Sequence, residues 1–290
     1  MSRGVDVDNE AVAQAVGLAL AEDRVFADVT TRSIFGETDD LAGNIVARSA
    51  GVLAGIPVAR AVFQSLDAEF EFEEVVGDGD RLRPGAVIAR CRGSAWAVLS
   101  GERVALNFLQ RLSGVATLTA RYVRAVAGSA TRILDTRKTT PGLRSLEKYA
   151  VRVGGGENHR FCLEDMVLIK DNHIEAAGSI RTAVEKVRVA TRDKVVAIEV
   201  EVQDLLQLRD VLPLGVDRVM LDNFDQERMA QAMGVIRAHP GQRPEVELSG
   251  GVTLETAAAM AKVGADFISV GALTHSAVAL DIAMEICRGN

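Results

Sequence analysis

The apolar positions of the first hundred or so residues change period several times. Asn9 to Ala21 carries a helical, amphipathic pattern, and Ile56-Pro57 opens a second helix with proline in its first turn. Between and after them, Gly43 to Gly55 contains a strand and Glu69 to Val75 alternates like one. Ala86 to Arg90 is a further short strand, bounded by the turns Gly77-Asp78-Gly79-Asp80 and Arg83-Pro84-Gly85. Val98 to Val126 reads as a long helical region, interrupted near Ser113-Gly114. Strands gathered together and then helix predict a small α+β domain.

The rhythm then becomes regular. Short apolar strands are expected at Thr131–Leu134, Met166–Ile169, Val195–Val202, Asp217–Leu221, Val246–Leu248 and Phe267–Val270. Helices are expected at Leu143–Val153, Ser179–Ala190, Asp204–Val211, Gln226–Arg237 and Leu254–Val263. This alternation indicates parallel β/α units. The tail, Ala279 to Cys287, is expected to be helical and to pack back on the first domain. The resulting division is 1–114 for the first domain, 115–278 for the second and a terminal helix over 279–290.

Polar residues separate a closed barrel from an open sheet. The expected strands run into Asp135-Thr136-Arg137-Lys138, Lys170-Asp171-Asn172-His173, Glu199 and Glu201, Asp222-Asn223, Ser249-Gly250-Gly251 and Gly271. Functional groups at the C-terminal ends of many successive strands mark a barrel mouth. An open dinucleotide-binding sheet would instead carry a glycine fingerprint after its first strand, and none is visible.

Composition narrows the classes. The chain has 290 residues, 48% hydrophobic and only 4% aromatic, which suits helices packed on parallel strands. A net charge of −7 with no basic run argues against nucleic-acid binding. Cys91, Cys162 and Cys287 are scattered and odd in number, which fits a reducing compartment rather than a disulfide framework. The polar, acidic start from Met1 to Glu10 and the lack of a long apolar run point to a cytoplasmic chain without a membrane segment.

Against the acidic background, cations outnumber anions between Arg132 and His173. Arg137, Lys138, Arg160 and Lys170 all fall at strand ends or in glycine-rich loops, as an anionic ligand requires. A single such cation is as easily a solvated surface charge. Glu199 and Glu201 share a strand face and are expected inside the barrel mouth, with Asp222 similarly placed. Carboxylates joined by substrate phosphates are the usual seat of Mg2+, although Asp222 also suits a turn. The loops Ser249-Gly250-Gly251 and Val270-Gly271-Ala272-Leu273-Thr274-His275 follow the last two strands, where barrels commonly bind phosphate. His159 and His173 read first as structural, and Arg103 and Arg111 as surface residues of the long helix.

Several segments together resemble the quinolinate phosphoribosyltransferases, within the type II phosphoribosyltransferase family. They are Glu102 to Gly114, Asp135 to Arg144, Gly154-Gly-Gly-Glu-Asn-His-Arg160, Leu168-Ile-Lys-Asp-Asn-His173, Leu221 to Phe224, Ser249-Gly-Gly251 and Val270 to His275, in the expected order over most of the chain. The resemblance implies an N-terminal α/β sandwich, a C-terminal (β/α) barrel with fewer than eight regular strands, and a homodimer. It implies that Arg103 is supplied across the dimer interface. Thr136, Arg137, Lys138, His159, Arg160 and Lys170 match the quinolinate pocket. Glu201 and Asp222 match the carboxylates near the ribose hydroxyls and Mg2+. Ser249, Gly250, Gly251, Val270, Gly271, Ala272 and His275 match the phosphate-binding end. Lys138, Lys170, Glu201 and Asp222 are the expected catalytic set. The chain departs from the pattern in lacking glycines over Glu22–Asp28, and in having Cys162 and Leu248 where smaller residues are usual. The activity implied is phosphoribosyl transfer from phosphoribosyl pyrophosphate to quinolinate with loss of CO2. The rivals are a nicotinate phosphoribosyltransferase, a sugar-phosphate barrel isomerase or aldolase, and a silent binding paralogue.

Overall fold

The computed structural model describes residues 6–287. The chain forms two compact units. The first comprises the described residues up to Ala120, Lys138–Gly155 and the described residues from Ala272 onward; the second comprises Arg121–Arg137 and Gly156–Gly271.

The first unit begins with α1 (Asn9–Glu22) and α2 (Val29–Ile34), followed by β1 (Asp40–Ala47), β2 (Gly51–Val52), α3 (Ile56–Leu66), β3 (Glu71–Glu74), β4 (Arg81–Leu82) and β5 (Val87–Ser94). Side chains rather than propensity fix several of these starts. Asp8 accepts from the N–H groups of Glu10 and Ala11 and so caps α1. The β-branched run of α2 is a poor helix by propensity and was not foreseen. Asp28 creates it by accepting from the N–H groups of Thr30 and Thr31, the Thr31 hydroxyl at 2.6 Å and the Ser100 hydroxyl at 2.8 Å. The expected turn at Asp78 serves α3: its carboxylate accepts from the Gly55 and Ile56 N–H groups, ahead of Pro57.

The helix α4 (Ala95–Ala125) is continuous, so the expected interruption at Ser113-Gly114 is absent. Those residues serve packing instead. The Ser113 hydroxyl bonds the Ala54 backbone, and a Cβ on Gly114 would lie 2.2 Å from the Val278 carbonyl oxygen. The tail also differs from expectation. Ile282–Ile286 is a strand pairing antiparallel with β1, not a helix. Its Ala-Met-Glu stretch favours helix locally, but the open edge of β1 offers a full ladder. Residues 288–290 lie outside the described residues. The resulting sheet has four strands, with β5 between β1 and β3.

The second unit is the β/α part. Its strands are β6 (Arg132–Leu134), β7 (Val167–Ile169), β8 (Ile198–Val202), β9 (Arg218–Asp222), β10 (Glu245–Ser249) and β11 (Phe267–Ser269), so the tail strand is β12. They form one six-stranded parallel sheet in the order β6-β11-β10-β9-β8-β7. This is the (β/α) barrel type with fewer than eight strands. Glu157 extends the β6 edge, pairing parallel with Leu134. The helices are α5 (Arg144–Val153, in the first unit), α6 (Asp171–Ala177), α7 (Ile180–Thr191), α8 (Leu205–Val211), α9 (Gln226–Ala238), α10 (Leu254–Ala261) and the short α11 (Ala272–His275, also in the first unit). Ser179, Asp204, Asp225 and Thr253 cap α7, α8, α9 and α10. These four capping residues turn the backbone back over the sheet. Val200, Val219, Leu221, Val246, Leu248 and Ile268 are fully buried and make the apolar layer. Leu248 sits in that layer, on the sheet face opposite Glu247 and Ser249.

Candidate active site

The other face of the barrel sheet is polar, and it is layered. Deepest, the guanidinium groups of Arg132 and Arg218 lie over the Phe267 ring, each 4.1 Å from its centroid. Arg218 also bonds Glu245 and Glu247. Above them sits a buried group of His159, Glu199 and Glu247. His159 Nε2 is 3.1 Å from Glu199 and 3.4 Å from Glu247. His159 Nδ1 accepts the Arg160 N–H at 2.8 Å, and the His159 N–H donates to Asp135, itself buried. With Nδ1 accepting, Nε2 carries the hydrogen and donates to the glutamates. The three side chains have ligand-type atoms within 4.8 Å of one another. The group is a hydrogen-bonded network that orients the ring and, through it, the Arg160 backbone. Burial and the neighbouring Glu247 charge raise the Glu199 carboxyl.

Nearest the strand ends lie Lys170, Glu201, Asp222 and Ser249. Lys170 Nζ is 3.7 Å from Glu201. Burial raises the Glu201 carboxyl; Lys170 opposes this, while Asp222 and Asp171 reinforce it. The carboxylates thus share a field that a cation would relieve. Asp222 pairs in register with Ser249 and accepts from the Asn223 side-chain amide at 2.7 Å. Asn223 is left-handed at φ 55°, and its N–H donates to the Ser249 carbonyl. Gly250, at φ 95°, packs so closely that a Cβ would lie 2.1 Å from Asn223 Oδ1. Gly251 is also left-handed, with open space around it. Val270 is buried, its N–H bonded to the Leu134 carbonyl, and Gly271 is half-buried.

Arg137 and Arg160 form the cationic part of this unit. Burial and the proximity of Arg137 lower the Arg160 pKa. Arg160 is anchored on the Met166 carbonyl at 2.9 Å. The Arg137 Nε is buried with no hydrogen-bond partner. Two guanidinium groups held close enough to repel each other describe a seat for an anion. Thr136 is half-buried beside them in sequence.

Lys138, Ala272, His275 and Arg103 belong to the first unit. The Lys138 carbonyl accepts from the Thr274 hydroxyl at 2.8 Å. The His275 Nδ1 lies 2.6 Å from the Ser276 hydroxyl, and Ala272 starts α11. The Arg103 side chain is 60% exposed, with the Glu102 carboxylate 3.9 Å from it. It lines a cavity of about 300 Å³ with Asn107 and Arg111. His173 closes the start of α6, its Nδ1 accepting the Lys170 N–H at 3.0 Å. Cys162 bonds Asp165 through Sγ, and all three cysteines are free. Sequence reasoning overlooked Arg218 and Glu247, and placed Asp135 at a strand end without giving it a role of its own. The signal for Glu247 was present: Glu245-Val-Glu-Leu-Ser249 repeats the alternation seen at Glu199 and Glu201.

These features define an α/β-barrel protein with arginines and carboxylates gathered at the ends of its strands. Comparison with known proteins makes this specific. Residues 28–113 match the N-terminal domain of quinolinate phosphoribosyl transferase, and residues 115–285 match its C-terminal domain. The chain is 46% identical over 269 residues to the probable nicotinate-nucleotide pyrophosphorylase [carboxylating] of Bacillus subtilis (strain 168), covering 93% of this chain and 91% of that one. It is 41% identical to the nicotinate-nucleotide pyrophosphorylase [carboxylating] of Mycobacterium leprae (strain TN), covering 97% of this chain and 99% of that one. The solved structure of the nicotinate-nucleotide pyrophosphorylase from Francisella tularensis superposes with a TM-score of 0.90 at 38% identity, covering 97% of this chain and 98% of that one. The chain belongs to the quinolinate phosphoribosyltransferase family.

Proposed function

We propose that this chain transfers the phosphoribosyl group of phosphoribosyl pyrophosphate to quinolinate with decarboxylation, giving nicotinate mononucleotide, pyrophosphate and CO2. The observation that carries the reading is the buried Arg137 Nε without a hydrogen-bond partner beside Arg160, whose pKa burial and Arg137 both lower; a dianionic substrate would satisfy both groups. Lys138 and Lys170 add point charges, and His159 acts by orienting Arg160.

In this reading Glu201 and Asp222 orient the ribose hydroxyls and stabilise the positive charge that grows at the ribose C1 as pyrophosphate departs. The ring nitrogen forms the new bond to C1. The resulting pyridinium accepts the electron pair of the breaking C2–carboxylate bond, CO2 leaves, and C2 takes up a proton. No protein nucleophile is needed, so orientation and preorganised charge dominate. The oxygen donors of Glu201 and Asp222, with the Glu201 carboxyl raised by burial and by the neighbouring Asp222 and Asp171, fit Mg2+. When bound with the substrate, that ion would neutralise pyrophosphate. Ser249, Gly250, Gly251, Val270, Gly271, Ala272 and His275 form the phosphate-binding end. The protein works as a cytoplasmic homodimer with Arg103 contributed to the partner's site. The exposure of Arg103, and of Leu18, Phe26, Val29 and Ile34 on the N-terminal segments, supports such an interface. No helix among the described residues is long and apolar enough to cross a membrane.

Calorimetric titration with quinolinate and with nicotinate tests the pocket. The second carboxylate should add a charge-assisted contact of about 1.5–3 kcal/mol, or roughly ten- to a hundredfold in affinity. Equal affinities would contradict the reading.

A further inference from the structure

Arg111 looks like a surface residue of a long helix in the sequence, but in the structure it is the hub of a buried network. Its Nε and one terminal nitrogen donate to Glu147 Oε1 at 3.1 and 2.7 Å. The other terminal nitrogen donates to the Ala277 carbonyl at 3.0 Å. The nitrogen that meets Glu147 also makes a short hydrogen bond to the Thr274 carbonyl, and the Thr140 hydroxyl lies 3.4 Å from it. Glu147 is fully buried and also accepts the Thr140 N–H at 3.0 Å and the Thr140 hydroxyl at 2.7 Å.

Two chain segments converge on this ion pair. One is the loop from Lys138 to Gly142, held at Thr140. The other is the turn from Ala272 to Ala277, held at the Thr274 and Ala277 carbonyls. The Thr274 hydroxyl then joins the two directly by donating to the Lys138 carbonyl at 2.8 Å. The backbone of Lys138 is thus fixed on itself and again two residues later, and the turn bearing His275 is fixed immediately before and two residues after it.

We propose that Arg111 and Glu147 are positioning residues for the phosphoribosyl transfer: together they clamp the Lys138 loop to the His275 turn. The inference rests on the assignment of Lys138 and His275 to substrate binding. In this proposal the pair acts through the segments it holds, and Glu147 is fully buried. A planar fork with five donors is what the geometry uses, so lysine cannot replace Arg111. Displacement of positioned groups by about 1 Å costs on the order of a hundredfold in rate.

The test compares wild type with Arg111→Lys, Thr274→Val and Lys138→Ala. It measures melting temperature, and kcat and both KM values with quinolinate and phosphoribosyl pyrophosphate. Thr274→Val removes the hydroxyl that donates to the Lys138 carbonyl and keeps the side-chain shape. The clamp predicts that Arg111→Lys loses about ten- to a hundredfold in kcat/KM, and that Thr274→Val moves the same constants in the same direction. A merely structural role predicts lower melting temperatures with kcat and both KM values of the folded enzyme unchanged, and that result would overturn the proposal. Should Arg111→Lys fail to fold, Thr274→Val decides alone. Wild-type turnover by Lys138→Ala would sink the assignment of Lys138 and the clamp with it. Impaired Lys138→Ala beside unaffected Arg111→Lys and Thr274→Val would sink the clamp alone.

Discussion

Gly250 and Gly251 are neighbours, both left-handed, and yet they should respond very differently to the addition of one methyl group. At Gly251 nothing lies within 4 Å of a Cβ, so Gly251→Ala meets only the left-handed backbone penalty of roughly 1–2 kcal/mol. At Gly250 the same penalty applies, and the Cβ would also lie 2.1 Å from Asn223 Oδ1 and 2.8 Å from the Asn223 nitrogen. Asn223 must move, which endangers its N–H bond to Ser249, worth about 1 kcal/mol, and its bond to Asp222. The sum for Gly250→Ala is about 2–4 kcal/mol, or a fall in melting temperature of roughly 5–10 °C. Gly251→Ala should fall by about half as much. Because Asn223 holds Asp222, Gly250→Ala should also lose about tenfold or more in kcat. Thermal melts and steady-state kinetics of the two variants side by side are the assay. Equal melting temperatures, or a Gly250→Ala enzyme with wild-type turnover, would refute the argument that this turn positions Asp222.

Other perturbations test other parts. Arg137→Ala should abolish turnover while leaving the melting temperature near wild type, since its removal relieves repulsion at Arg160; near-normal turnover would mean the anion seat is elsewhere. Glu247→Ala should cost about 3–5 kcal/mol in denaturant unfolding, because it removes one acceptor of the buried His159–Arg218 network and leaves a hole. Asp28→Ala should cost about 1 kcal/mol at neutral pH through loss of the α2 cap. The Asp28 pKa is lowered to about 2 from 3.8, chiefly by its hydrogen bonds to Thr31, so its contribution is present above pH 3.8 and lost as pH falls through 2. The difference between wild type and Asp28→Ala should therefore shrink across that window, and a constant difference would contradict the assigned role.

Much of the barrel was readable because parallel strands buried on one face by helices leave long apolar runs with capping residues between them. The ends of those runs announced Arg137, Lys170, Glu201 and Asp222. What escaped were features decided by distant partners. The tail became a strand because β1 has a free edge, and Ser113-Gly114 did not break α4 because Ala54 and Val278 pack there. Arg111 and Glu147 carry no local signal; their importance arises from two loops that meet only in the folded chain. Glu247 could have been found, since its strand repeats the spacing of β8.

The central claim is the reaction itself. Purified protein should be incubated with phosphoribosyl pyrophosphate, Mg2+ and either quinolinate or nicotinate, following CO2 and nicotinate mononucleotide together. The account predicts equimolar CO2 and nucleotide from quinolinate and no product from nicotinate. Nucleotide from nicotinate alone, or no product from either, would contradict it.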